Sequence, residues 1–289
     1  MAEQSPESTA LAPPRRPMSA QLKAGLLIVG TIVLLSLLAP WIAPHPWDTI
    51  SIHTRFQPPS MTYWLGTDDY GRDVLSRLLM GGRLSLAMGI GATVISVLFG
   101  APMGLAAGYF RGNVDEVLMR VSDVLMAIPA IMLGLLVLAV MPPALWKTAV
   151  AVGLVYVPLI ARVARSVTLG LTNEEFVQAA RARAENALYI LFREILPNAW
   201  PPLIVEASLR VTYAILLGSA LSFLGLGAQP PSSDWGLMIS EARAFIDRAP
   251  WIALAPGFAM CLLVIGINLI GDGLREQLDP RLKGQIAKA

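Results

Sequence analysis

The chain has 289 residues, of which 55% are apolar and only 15% charged, with a mean hydropathy of +0.60. Soluble domains carry about 25% charged residues, so this composition belongs to a chain whose solvent is lipid and excludes a disordered chain, a collagen-like repeat or a disulfide scaffold. Cys261 stands alone and has no internal partner, and a net charge of +2 is too small to imply nucleic acid.

A bilayer core of about 30 Å is crossed by roughly 20 apolar residues in a helix. Uncharged runs of that kind cover residues 24–43, 84–110, 124–146, 211–233 and 249–271. A shorter run, 148–161, becomes a sixth span if its helix continues to Val167 with Arg162 and Arg165 reaching for the interface. Residues 1–23 form a polar, Pro-rich tail expected to be disordered. The run at 24–43 follows too long a polar stretch, and is itself too long, to be a cleaved signal, so it is expected to be an uncleaved anchor. Residues 44–82 form a long loop on one side. A core of five helices occupies 83–272, and 273–289 is a short tail. Six spans put both ends on one side. With the N-terminus in the cytosol, that side collects 14 Lys and Arg residues against 7 on the other, so both termini are expected in the cytosol.

No phosphate-binding G-x-x-x-x-G-K-[ST] loop occurs, nor any H-E-x-x-H or C-x-x-C. The two histidines, His45 and His53, read as surface residues of the long loop, and no metal, cofactor or catalytic site is expected. Ionisable groups inside spans would mark an ion pathway, and they are few. Asp123 is expected to pair with Arg120 at the mouth of the third span, and Glu206 with Arg210 at i, i+4. An ion-coupled secondary transporter, the reading of a different class, would need more than these. Gly100, Gly104 and Gly108 repeat every four residues along the second span and predict a close helix–helix approach. Gly225, Gly227, Pro230 and Pro231 are expected to end the fifth span, and Gly271 and Gly273 the sixth.

The stretch 172–197 is polar and rich in Ala, Arg and Glu, all helix formers. Thr172 and Glu175 have capping-box spacing, which predicts a helix start. A second helix is expected from about Ala187, limited by Pro197. The small residues Ala179, Ala180, Ala182 and Ala184 suit the docking of a partner.

Gln178-Ala179-Ala180, then Ala184, then Leu196-Pro197 resembles the EAA loop of importer-type ABC permeases, E-A-A-x3-G-x9-I-x-L-P. Gln178 departs from its Glu, Ala184 from its Gly and Glu194 from its Ile. Since Ala resists the left-handed turn that Gly allows, the turn is expected to move to Asn186. Five further stretches narrow the resemblance to the C-type permeases of dipeptide and oligopeptide transporters. They are Trp64-Leu-Gly-Thr-Asp-Asp-Tyr-Gly-Arg-Asp-Val-Leu-Ser-Arg77, Gly108-Tyr-Phe-Arg-Gly-Asn-Val-Asp115 with Met119-Arg-Val-Ser-Asp123, Leu221-Ser-Phe-Leu-Gly-Leu-Gly-Ala-Gln-Pro-Pro231 with Asp234-Trp-Gly236, Asn268-Leu-Ile-Gly-Asp-Gly-Leu-Arg275, and Leu278-Asp-Pro-Arg-Leu282.

The resemblance implies an all-α inner-membrane permease of the type I importer fold, with six transmembrane helices and no catalytic site. It implies translocation of dipeptides or oligopeptides by ATP-driven alternating access. Nickel complexes, glutathione, opines or oligosaccharides are the alternative cargoes in the same family. The implied partners are a homologous B-type permease, two cytosolic ATPases that hold ATP and Mg, and an extracytoplasmic solute-binding protein. Glu175, Gln178, Ala179, Ala180, Arg181, Ala184, Leu196 and Pro197 would then form the ATPase-coupling loop.

Overall fold

The computed structural model describes residues 18–140 and 144–278. Most of the tails expected at 1–23 and 273–289 lies outside those residues, as does the Leu278–Leu282 motif beyond its first residue. Among the described residues the chain is helical, and no strand forms beyond one isolated bridge between Thr67 and Asp73. Five helices are long and apolar enough to cross a membrane, and a sixth candidate is a pair bent by 94°.

Helix α1 (Ala20–Ile42) starts inside the stretch read as tail, because the Ser19 hydroxyl accepts the Leu22 N–H and caps it. It presents Leu27, Leu34 and Trp41 outward and lies against α10 (Trp251–Leu278), where Gly25 meets Gly266 backbone to backbone. Helix α2 (Val74–Phe110) begins earlier than the apolar run, because Asp73 caps it through the Ser76 N–H. At 37 residues it spans about 55 Å and connects the two ends of the molecule.

The run 124–146 is not one straight helix. Helix α3 (Gly112–Ala127) stops where Ile128 precedes Pro129. The proline ring disfavours helical geometry at the residue before it, and Ile128 is extended at ψ 128°. The short α4 (Ala130–Ala139) then leaves at the 94° angle. The uninterrupted hydropathy of the run conceals this break. The weak fourth run is a full helix, α5 (Leu145–Leu171). It needs no bare snorkelling arginines: Arg162 meets Asp123 at 2.6 Å, and Arg165 grips Asp115 through Nε at 2.5 Å and its terminal nitrogen at 2.6 Å. Asp123 therefore pairs across to α5 and not with Arg120, whose partner is Glu116 on its own helix.

After α6 (Glu175–Ala182) and α7 (Ala187–Tyr189), the chain widens into a π-helical stretch (Ile190–Ile195) and runs on as α8 (Leu196–Phe223). Pro197 does not limit it. It falls in the first turn of α8, where a missing N–H is tolerated. Helix α8 ends at Phe223, just before Gly225 turns with φ +82°. A short α9 (Trp235–Ala242) follows, capped by Asp234, and leads to α10. Gly271 and Gly273 do not end α10. They lie inside it as contact points, a Cβ at Gly273 falling 2.6 Å from that of Leu22 and one at Gly271 2.9 Å from the Ser208 hydroxyl.

One apolar core joins α2, α9 and α10 around Trp235, Met238 and Leu263. A second joins α4, α5 and α8 around Leu133, Val155 and Leu221. Between α2 and α5 the backbones touch. A Cβ on Gly100 would lie 2.7 Å from the Val157 carbonyl, one on Gly104 2.6 Å from Ala164 Cβ, and one on Gly108 2.7 Å from Thr168 Cβ.

Candidate functional site

The two ends of α2 carry the two polar constructions of the molecule. At its C-terminal end lies the segment 172–197. Thr172 does not open a helix there. Its N–H goes to the Thr168 carbonyl at 2.9 Å, and its hydroxyl donates to Leu169 and accepts from Arg111 at 3.0 Å each. Both groups that a capping box needs are thus used in closing α5, which runs further than its apolar stretch. Helix α6 starts from Glu174 with no side-chain cap.

The faces of α6 differ sharply. Val177 and Ala180 are fully buried and pack on Leu105 of α2 and on Ile190, Leu191 and Ile195 of the π-helical stretch. Glu175, Gln178, Ala179, Arg181 and Ala182 are exposed. Ala180, expected on the docking surface, belongs instead to the subunit's own core, since three-residue spacing from Val177 puts it on the inward stripe. Gln178 donates to the Asn173 carbonyl at 3.1 Å, and Arg181 lies over Tyr109 at 5.2 Å.

The turn stays at Ala184. It adopts φ +57°, its N–H donates to Arg181 O at 2.9 Å and the Glu185 N–H to Ala180 O at 3.2 Å. These two bonds make a Schellman motif with alanine in the left-handed position that glycine usually fills. Asn186, to which the turn was expected to move, has φ −70° and serves as the N-cap of α7, its Oδ1 accepting the Tyr189 N–H at 2.7 Å. Arg183 closes the turn from outside, 3.3 Å from Glu194 and 3.6 Å from Glu185. Leu196 is half-buried and Pro197 exposed at the start of α8. The result is a small bracket. Its inner side is fused to α2 and α8, and its outer side offers carboxylates, an amide, guanidinium groups and short side chains.

The other construction is only partly visible in the sequence. Asp68 is buried between two arginines, Arg72 and Arg77, each 2.6 Å from Oδ2. Both arginines also reach Glu241 of α9, at 3.1 and 2.9 Å, and Arg77 donates to the Ser232 carbonyl. This clasp fastens the loop 44–73 and the start of α2 to α9. The turns at Gly66 and Gly71, both at positive φ, shape the loop around it. Nearby, burial raises the Asp69 carboxyl above the usual range, with the Asp68 and Glu241 charges adding to it. Asp234 is raised by burial too, against hydrogen bonds from Ser85 and the Leu237 N–H. Sequence spacing displays Asp68, Arg72 and Arg77, but Glu241 is distant in the chain and only the fold brings it in. His45 stacks on Tyr63 and lies 3.5 Å from Asp73, and no cluster able to hold a metal occurs among the described residues.

A helical protein with five or six candidate membrane spans has the make-up of a polytopic membrane protein. Residues 100–284 match the family described as binding-protein-dependent transport system inner membrane component, and residues 23–59 match the N-terminal transmembrane domain of oligopeptide transport permease C. The chain belongs to the binding-protein-dependent permease family and is a multi-pass inner-membrane protein. It is 42% identical, over 90% of its length and 85% of the relative's, to the dipeptide transport system permease protein DppC of Alkalihalophilus pseudofirmus. It is 41% identical to the di/tripeptide permease DppC of Pseudomonas aeruginosa, over 90% of its own length and 88% of that protein's, and 41% identical to the glutathione permease GsiD of Pectobacterium atrosepticum, over 90% and 86%. A chain of the inward-facing MetNI methionine ABC transporter shares its fold, with a TM-score of 0.60 at 18% identity, covering 70% of this chain and 96% of that one.

Proposed function

We propose that this chain is one of two permease subunits of an ABC importer that carries dipeptides or oligopeptides, and that the bracket 172–197 is where a cytosolic ATPase grips it. Both termini and the bracket then face the cytosol, and the clasp faces the extracytoplasmic solute-binding protein. A homologous B-type permease completes the pathway, and two ATPases hold ATP and Mg. Closure of the ATPases moves α6. Because Val177 and Ala180 are locked into the core with Leu105 and Ile195, α6 cannot move without α2 and α8. Rigid helices thus carry the stroke towards the broken span α3–α4, and access alternates.

The observation that carries this reading is the two-faced α6, buried at Val177 and Ala180 and bare at Gln178, Ala179 and Ala182. The peptide cargo is supported by the relatives, whose names include dipeptides, di/tripeptides and glutathione. The ion-coupled alternative finds less support: Glu206, an acid inside a span, is already held by Arg210 at 2.5 Å.

The test is co-expression with the neighbouring permease, ATPase and binding-protein genes. A complex whose ATP hydrolysis rises when the peptide-loaded binding protein is added is the expected result. Ala179→Trp should release the ATPases while the permease pair still purifies, whereas Ala180→Trp should reduce the yield of the permease itself. A chain that purifies without ATPases, or an Ala179→Trp complex with wild-type uptake, refutes the coupling role.

A further inference from the structure

Helices α8 and α10 leave a cavity of about 520 Å3 between them at the bracket end, within the range of about 300–1,000 Å3 usual for small-molecule sites. Its walls are mostly apolar, with Pro201, Val205 and Leu209 on α8, and two charged side chains of opposite sign open into it, Glu206 from α8 and Arg275 from α10. Arg210 takes only one oxygen of Glu206: its two contacts, at 2.5 and 2.7 Å, both end on Oε1. The other oxygen has no partner among the described residues. Nor does the Arg275 guanidinium, although it can donate five hydrogen bonds in a planar fork that matches a carboxylate.

We propose that this cavity is a transient binding site for a zwitterion with a free ammonium and a free carboxylate, namely a short peptide. Arg275 takes the carboxylate, Glu206 Oε2 takes the ammonium, and the apolar wall takes the side chains without selecting among them. Charge complementarity and the size of the space favour a peptide over a purely apolar occupant. Because the two charges sit on different helices, the occupant ties α8 to α10 and is released when they part. The inference rests on the peptide reading above and adds the place in this chain where the peptide pauses.

The probe is the dipeptide Ala-Leu, with N-acetyl-Ala-Leu-amide as its uncharged counterpart. Binding to the assembled permease–ATPase complex is followed by calorimetry in nanodiscs made without amine-headgroup lipids and without the binding protein, so that recognition by the latter does not contribute. Ala-Leu should bind and the blocked peptide should not. Arg275→Gln should weaken Ala-Leu about tenfold or more, the scale of one charge-assisted contact, and leave the blocked peptide unchanged. Glu206→Gln, which keeps the shape, should act in the same direction and serves as the second variant. Equal binding of both peptides, or unchanged affinity in both variants, overturns the site. So does loss of Ala-Leu binding only when phosphatidylethanolamine is restored, which would make the cavity a lipid site. In a complex that imports peptide with its binding protein, any of these results removes the site and leaves the function standing. A complex that imports only a non-peptide solute removes the function itself.

Discussion

Alanine at Gly100 is the simplest perturbation whose sign the packing decides. In an open helical position Gly→Ala stabilises by about 0.5–1 kcal/mol, since glycine loses more backbone entropy on folding. Gly30 in α1 and Gly257 in α10 are such positions, with nothing within 4 Å of an added Cβ. At Gly100 the same methyl would sit 2.7 Å from the Val157 carbonyl oxygen and 2.8 Å from Ile160 Cβ. Optimal carbon contacts lie at about 3.5–4.0 Å, so α5 must retreat by roughly 1 Å. Neither obstacle is a flexible side-chain end. Overpacking of this kind costs about 1–3 kcal/mol, which exceeds the entropic gain. Gly100→Ala should therefore destabilise the chain by about 1–2 kcal/mol while Gly30→Ala and Gly257→Ala are neutral or stabilising. Reversible unfolding in mixed micelles, followed by circular dichroism, measures all three. A Gly100→Ala chain as stable as the Gly30→Ala control would refute the close α2–α5 approach.

Ala184→Gly removes the side chain from a left-handed position and should stabilise the bracket by about 1 kcal/mol, seen as slower proteolysis at Arg183; faster cleavage would contradict the Schellman geometry. Of the two ion pairs between α3 and α5, Asp115–Arg165 is bidentate and partly buried, while Asp123–Arg162 is about half exposed on both sides. Asp115→Asn should cost about 1–2 kcal/mol and Asp123→Asn under about 1 kcal/mol; the reverse order in the same unfolding assay would be decisive against this account. Because burial raises the Asp234 carboxyl in the folded state, the stability it contributes is full below the ordinary aspartate value and is lost as pH rises through its raised value. Asp234→Asn imitates the protonated acid, its one oxygen accepting the Leu237 N–H and its amide NH2 donating to the Ser85 hydroxyl, so its melting temperature should overtake the wild type as pH rises above about 4; a pH-independent difference counts against the buried acid.

Hydropathy displays the helices because lipid demands long uncharged runs, and it is blind where the backbone and not the composition decides. The run 124–146 is uniformly apolar, yet one proline breaks it at Ile128, a local steric effect that a window average removes. Capping signals mislead for a related reason. Thr172 carries the right spacing for a helix start, but α5 propagates through Val167 to Leu171 and claims it first. The turn at Ala184 shows the converse. Side-chain preference argues against a left-handed alanine, and two hydrogen bonds at the helix end, with Asn186 already used as a cap, hold it there. The clasp was half legible: Asp68, Arg72 and Arg77 stand out in one motif, while Glu241 reaches them only once α9 has folded back.

That last partner gives the clasp a meaning in time. Asp68, Arg72 and Arg77 are synthesised early, and one buried carboxylate oxygen then serves both guanidinium groups. Glu241, made more than 160 residues later, supplies the second oxygen that both share. Until α9 has been delivered to the same side of the membrane as the loop 44–73, that loop and the head of α2 have no complete lock. A chain truncated before Glu241, or one with α9 on the wrong side, lacks the oxygen that Arg72 and Arg77 share, a mark by which unfinished copies differ from finished ones.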